Sequence, residues 1–260
     1  MKKLFIGFLV MAFAATVCSA EVFKIIDIDN TEGTVLAVEK KTGEKLYEAT
    51  SWGDIVKDGN TTYVRKFEKG AGIKKGGYRS WLTEAVYVRE GNRMIPYSGK
   101  GIFKDKDGKV IETVNTTYDR ASSKVSVTTN GETKTFDFPD DMINNAALGT
   151  CIRNFPFEEG RDVKFTLLAS GPQVFKITMK NLGKETVTTH DGKQIECYKL
   201  QMVPDLGALA LVGAFIPKTY FWYEAASPHR FVRYEGLDGG LGTPYMVYEV
   251  SSYADFDVKE

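Results

Sequence analysis

Three short turn signals set the limits on what this chain can fold into. Asp107-Gly108, Asn130-Gly131 and Asp191-Gly192 each sit between runs that alternate apolar and polar side chains. Asn-Gly and Asp-Gly supply the positive φ angles of a two-residue hairpin, and a period of two is the signature of a strand with one face buried. Residues 101–103 with 110–117, 124–129 with 133–138, and 186–189 with 194–203 therefore read as hairpins of an antiparallel meander. Further strands are predicted at 35–38, 62–67, 163–168, 174–179, 220–224, 230–235 and 245–253. In 81–89 both parities are apolar (Trp81, Ala85, Tyr87 against Leu82, Val86, Val88), which predicts cover on both faces. Aromatic residues reach 12 %, with 16 Phe and 13 Tyr, and rings suit a pleated, half-buried surface. The region before about residue 50 is the least regular, and residues 21–50 are left open as a separate small element.

Two segments break the pattern. After Pro139, the residues Met142, Ile143, Ala146, Ala147, Thr150 and Cys151 recur at helical spacing, with Asp140 placed to cap the first turn and Asp141 near the positive end of the helix dipole. Pro156 follows as a stop. The second break, 206–216, is eleven residues without a polar side chain, bounded by Pro204-Asp205 and Pro217-Lys218. As a helix it would be about 16 Å long, well short of a bilayer. Two readings stay open for it. It packs as core against one sheet face, the commoner role of such a run; or its small residues (Gly207, Ala208, Ala210, Gly213, Ala214) beside Leu209, Leu211 and Phe215 line a cavity for an apolar ligand.

The first twenty residues carry an address. Met1-Lys2-Lys3 is basic, 4–17 is uncharged and apolar or small, and Cys18-Ser19-Ala20 is small at a cut site, the layout of a secretory signal peptide. Cleavage after Ala20 leaves 21–260 as one exported β-rich domain, with the periplasm as its compartment. Lipid attachment at Cys18 is disfavoured because Val17, in front of it, is branched where processing requires a small residue.

Charge excludes other partners. The chain has 34 basic and 34 acidic residues, and losing Lys2 and Lys3 leaves −2, no footprint for nucleic acid or an anionic membrane. A transmembrane barrel is rejected: the strands are short and charges interrupt both parities, so the chain is not expected to span a membrane once its leader is cut. No cofactor or metal is expected. The two histidines, His190 and His229, lie on separate turns without metal-ligand spacing, and no nucleophile motif is present. Asp105-Lys106-Asp107-Gly108 lacks the distal Glu of a calcium loop and reads as a turn. Cys151 and Cys197 form either a disulfide or two separately buried thiols; sequence leaves both open.

The stretch 140–253 resembles an uncharacterised family of secreted bacterial proteins, the DUF3108 family. The resemblance rests on the helix from Asp140-Asp141-Met142, on Phe157-Glu158-Glu159-Gly160-Arg161-Asp162, on Gly183-Lys184-Glu185-Thr186-Val187 with Asp191-Gly192-Lys193, and on Tyr220-Phe221-Trp222-Tyr223 running to Pro228-His229-Arg230-Phe231. It implies a mainly β fold: a strongly curved antiparallel sheet, a half-barrel similar to periplasmic lipoprotein carriers, with one or two helices over a concave apolar face. It implies no activity and no catalytic residues. The expectation is an envelope protein, monomeric and not an enzyme, that binds a lipid or other apolar ligand, with Met202, Leu209, Leu211, Phe215 and Trp222 as lining. An envelope structural or assembly protein that holds a protein partner, and a hydrolase, are the alternatives.

Overall fold

The computed structural model describes residues 23, 33–74, 76–139, 142–169, 173–205, 217–238 and 243–253. The first half is a meander of eight strands: β1 (Gly33–Glu39), β2 (Lys45–Asp58), β3 (Thr61–Lys74), β4 (Gly77–Glu90), β5 (Arg93–Lys104), β6 (Val110–Asp119), β7 (Lys124–Thr129) and β8 (Glu132–Asp137). A short strand β9 (Met142–Asn144), the helix α1 (Asn145–Arg153) and a 3-10 turn (Phe157–Glu159) follow. A second meander completes the chain with β10 (Val163–Ala169), β11 (Gln173–Thr188), β12 (Gln194–Pro204), β13 (Thr219–Glu224), β14 (Phe231–Leu237) and β15 (Tyr245–Tyr253). All fifteen strands form one sheet in the order 8-7-6-5-4-3-2-1-15-14-13-12-11-10-9. Every pairing is antiparallel except β9 with β10. The fold class read from the sequence is the one observed.

The predicted hairpins are in place. Gly108, Asn130, Gly131 and Gly192 all have positive φ. Asp105 shapes its turn by accepting hydrogen bonds from the backbone N–H groups of Asp107 and Lys109 at 3.0 and 2.9 Å. β1 lies at the sheet's centre between β2 and β15, joining the two meanders. Phe23 packs edge to face on Phe165 at 5.5 Å in the main core.

Chain connectivity forces the curvature. β8 and β9 are the two ends of the sheet, and laid flat they would stand about 65 Å apart at the ordinary strand spacing. Yet only residues 138–141 separate them in sequence, and five peptide steps span at most about 18 Å. The sheet must therefore curl until its ends nearly meet. They do not hydrogen bond to each other. Val125 and Val127 of β7 instead pack with Met142 of β9 and Leu168 of β10, flanked by Tyr118, Phe136 and Phe138. Side chains close this open barrel.

The helix is shorter than the sequence suggested and starts later. Met142 and Ile143 fit helical spacing, but here they pair with Thr166 and Leu167 of β10 as a strand. Asp140 and Asp141 lie outside the described residues, and the cap is Asn144, whose Oδ1 accepts from the backbone N–H of Ala147 at 2.9 Å. Ala147 with Cys151, and Leu148 with Ile152, at i,i+4 spacing, turn one face onto Val64, Tyr87, Phe165, Leu200 and Tyr223 of the concave sheet. Asn144 does more than cap: Oδ1 also accepts from Tyr87 Oη at 2.5 Å, and Nδ2 donates to Tyr118 Oη at 3.0 Å. One amide thus ties the helix start to β4 and β6. Asn144→Ala removes the cap and leaves two buried phenols short of a partner, so a loss of about 2–4 kcal/mol in urea-unfolding stability is expected, with Asn144→Asp less damaging because it keeps the acceptor.

Candidate functional site

The curled sheet and α1 leave a cavity of about 1930 Å³ between them. At one end α1 contributes Leu148, Gly149 and Thr150 to the wall; at the other the sheet supplies Val35, Tyr47, Trp81 and Met246. Phe103, Phe221, Tyr223, Phe231, Tyr234 and Tyr248 complete an aromatic lining. These rings interlock: Tyr47 stands edge-on to Trp81 at 5.4 Å, Phe221 to Tyr234 at 5.1 Å, and Tyr223 to Phe231 at 5.6 Å.

Two glycines let the rings lie flat on the wall. A Cβ on Gly70, the cross-strand partner of Trp81, would fall 2.2 Å from the Trp81 ring. A Cβ on Gly236 would fall 2.3 Å from the Tyr234 hydroxyl. No side chain but hydrogen fits beneath either ring, so both glycines set the position of the aromatic surface.

The phenols of this lining are neutral. Burial pushes Tyr47 far above the ordinary phenol range, with Asp238 and Glu68 adding to the effect; burial does the same for Tyr248 and Tyr234. Tyr118, at the cavity edge, is pushed up to about 12 by burial. Polar groups also reach the wall: the Trp81 indole donates to Glu68 at 2.6 Å, and Arg79 pairs with Glu112 at 2.8 Å.

Of the residues expected to line a site, Met202 does so. Leu209, Leu211 and Phe215 lie outside the described residues; the flanking Val203, Pro204, Asp205, Pro217 and Lys218 are at the cavity wall. Trp222 is a correction. It faces outward, packed with Val187, Cys197 and Val232, and its indole donates to Glu185 at 2.7 Å. In Tyr220-Phe221-Trp222-Tyr223 every position is aromatic, so composition cannot show which parity turns inward; the observed register sends Phe221 and Tyr223 in. The signal for the missed wall residues lay in the Trp81, Thr83, Ala85, Tyr87 parity of β4.

The disulfide alternative fails for the same reason. Cys151 is on α1 inside the barrel, whereas Cys197 has the opposite parity to Tyr198 and Leu200 and belongs to the outer cluster. Both are free and buried, and the sheet lies between them. Burial pushes each thiol up to about 12, which keeps it protonated and unreactive.

Neither histidine lines the cavity. His190 Nδ1 is 3.5 Å from Glu249 on the outer face, where Arg233 Nε already donates to the same carboxylate at 2.5 Å. His229 Nδ1 is 2.9 Å from the carbonyl oxygen of Glu224, and its ring packs on Phe157 at 4.6 Å. Among the described residues there is no cluster of His, Cys, Asp and Glu that would hold a metal, and no helix is long and apolar enough to cross a membrane.

Fold and cavity define a class, the barrel-like proteins built from one curled antiparallel sheet. Among solved structures the chain is similar to a beta-barrel-like protein of the DUF1849 domain of unknown function from Brucella abortus, with TM-score 0.51 and 7% identity over 86% of this chain and 97% of that one. Lower similarity links it to a Bacteroides fragilis protein with a YmcC-like fold (TM-score 0.32, 13% identity, 88% and 96% covered) and to the hypothetical lipoprotein YmcC from Escherichia coli K12 (0.28, 7%, 88% and 90%). Comparison with curated proteins finds no match. The profile described as "Protein of unknown function (DUF3108)" matches residues 60–239, and the chain belongs to that family.

Two measurements check this site. In native protein a thiol reagent is expected to modify neither Cys151 nor Cys197; after denaturation without reductant both react, and a mass shift for an existing disulfide would contradict the separation. On the outer face, burial alone would raise the Glu185 carboxyl, but the Trp222 indole and the Lys199 ammonium hold it below the usual range. A carboxyl lowered by folding contributes stability above its unfolded pKa and loses it as pH falls through the lower folded value. Glu185→Gln should therefore lower the urea midpoint at pH 7, with the gap to the parent closing as the pH is taken below the carboxylate range.

Proposed function

We propose that this protein is an exported, noncatalytic binder or carrier of an apolar ligand, a lipid or lipid-modified chain, in the bacterial cell envelope. The observation that carries the reading is the cavity: at about 1930 Å³ it exceeds the roughly 300–1,000 Å³ of ordinary small-molecule sites, and an aromatic and aliphatic surface lies in its wall among polar and charged groups. A curled sheet with one apolar face has to bury that face, and α1 covers only part of it. The leader at 1–20 supports a periplasmic address. Met202, Tyr47, Trp81 and Phe221 are the contacts we assign to the apolar part of the ligand. Thiols buried and protonated, Cys151 in the inner core and Cys197 in the outer one, and histidines held on backbone and ion-pair partners favour binding over chemistry. A protein-partner role has one observation in its favour, the exposed outward pair Leu82 and Ile102 on β4 and β5.

Solvent extraction of the purified protein followed by mass spectrometry, with titration of a fluorescent fatty-acid probe, tests the reading. Recovery of no lipid together with no probe binding would defeat it. Gly99 provides the matching variant. It lines the cavity, and a Cβ there would meet only the Glu84 carbonyl oxygen at 3.5 Å and Thr116 Cβ at 3.8 Å, both ordinary contacts. Gly99→Phe should fold with an unchanged circular dichroism spectrum, fill part of the hollow and weaken probe binding by at least about tenfold, or 1.4 kcal/mol.

A further inference from the structure

The charged residues around the cavity divide by strand parity. Lys164, Lys176 and Lys180 stand opposite in parity to Phe165, Ile177 and Met179 and face outward, as do Lys100 and Glu84 beside Thr83 and Gly101. On the inner parity of β3, β4 and β6, Lys66, Lys74 and Arg79 stand with Glu68 and Glu112.

The basic groups also differ in how they are held. Arg79 is paired with Glu112, and Lys100 with Glu84. Lys74 is not: its Nζ sits 4.2 Å from the centre of the Trp81 ring and 4.8 Å from that of Tyr47, half-buried, with no carboxylate of the described residues within ion-pair distance. Glu68 lies nearby, occupied by the Trp81 indole. The rings hold an ammonium at the edge of the apolar lining by cation–π attraction but do not neutralise it.

On the reading that the cavity binds an apolar ligand, we infer that this ligand is an anionic amphiphile, its acidic head set against Lys74 and its hydrocarbon part on the aromatic wall beside Tyr47 and Trp81. A carboxylate or phosphate head would meet the ammonium at the edge of the aromatic lining. A neutral lipid would gain only the apolar contacts, and a cationic one would be repelled.

The test is competition of palmitate, hexadecanol and hexadecylamine against one fluorescent probe on the purified protein, repeated with Lys74→Gln and at raised salt. The expected result is palmitate displacing the probe at about tenfold lower concentration than hexadecanol, hexadecylamine weakest, with the palmitate advantage reduced by salt and by Lys74→Gln while hexadecanol is unaffected. Equal displacement by palmitate and hexadecanol would overturn the charge preference and leave the apolar-ligand reading standing. A palmitate advantage unchanged in Lys74→Gln would overturn the placement of the head. Displacement by none of the three, with no binding of the probe itself, would remove both readings together.

Discussion

A four-residue connection between the two edge strands governs this molecule. Residues 138–141 carry the chain from β8 to β9, from one end of a fifteen-stranded sheet to the other. A chain that short cannot bridge the width of a flat sheet, so curvature follows from connectivity, and the local twist of strands only has to agree with it. Once the ends are near, α1 has no place to go but inside, because it follows β9 directly. The concave face, its partial cover and the remaining hollow all follow from that one constraint.

Much of this was legible in the sequence, and for physical reasons. Asp107-Gly108, Asn130-Gly131 and Asp191-Gly192 demand local geometries that tertiary contacts rarely override, so the hairpins could be placed to within a residue or two. The final strand, Tyr245–Tyr253, was equally plain. The helix start was not. Met142 and Ile143 satisfy a helical period and a strand period alike, and their choice was made by parallel pairing with β10, a partner more than twenty residues away. The capping role of Asn144 depends on that choice and was hidden with it.

The candidate site was legible where one parity of a strand is apolar and the other is not, and hidden where both are. Met202, one of the expected lining residues, lies at the cavity wall. Trp222 was misplaced because its neighbours are aromatic on both sides, so burial gave no direction. The second, outward core around Trp222 is itself unusual for a barrel-like sheet: Cys197, Val187 and Val232 bury apolar surface on the convex side, roofed by the Glu185–Lys199 pair. The two thiols are kept apart by this two-sided burial, since each belongs to a different core.

The seam between the sheet's ends has a mechanical consequence. Elsewhere around the barrel, widening the bore means breaking rows of backbone hydrogen bonds at once. At the seam the joint is a patch of valine, methionine, leucine and aromatic side chains, crossed by the Asn144 hydrogen bonds to Tyr87 and Tyr118, so parting it exposes apolar area at roughly 25 cal/mol per Å² and gives up a few side-chain bonds but no backbone ladder. Compliance is therefore concentrated along one line of the wall. The girth of the hollow is set at that line, like a cuff with a slit, and the fourteen ladders fix the rest of the wall.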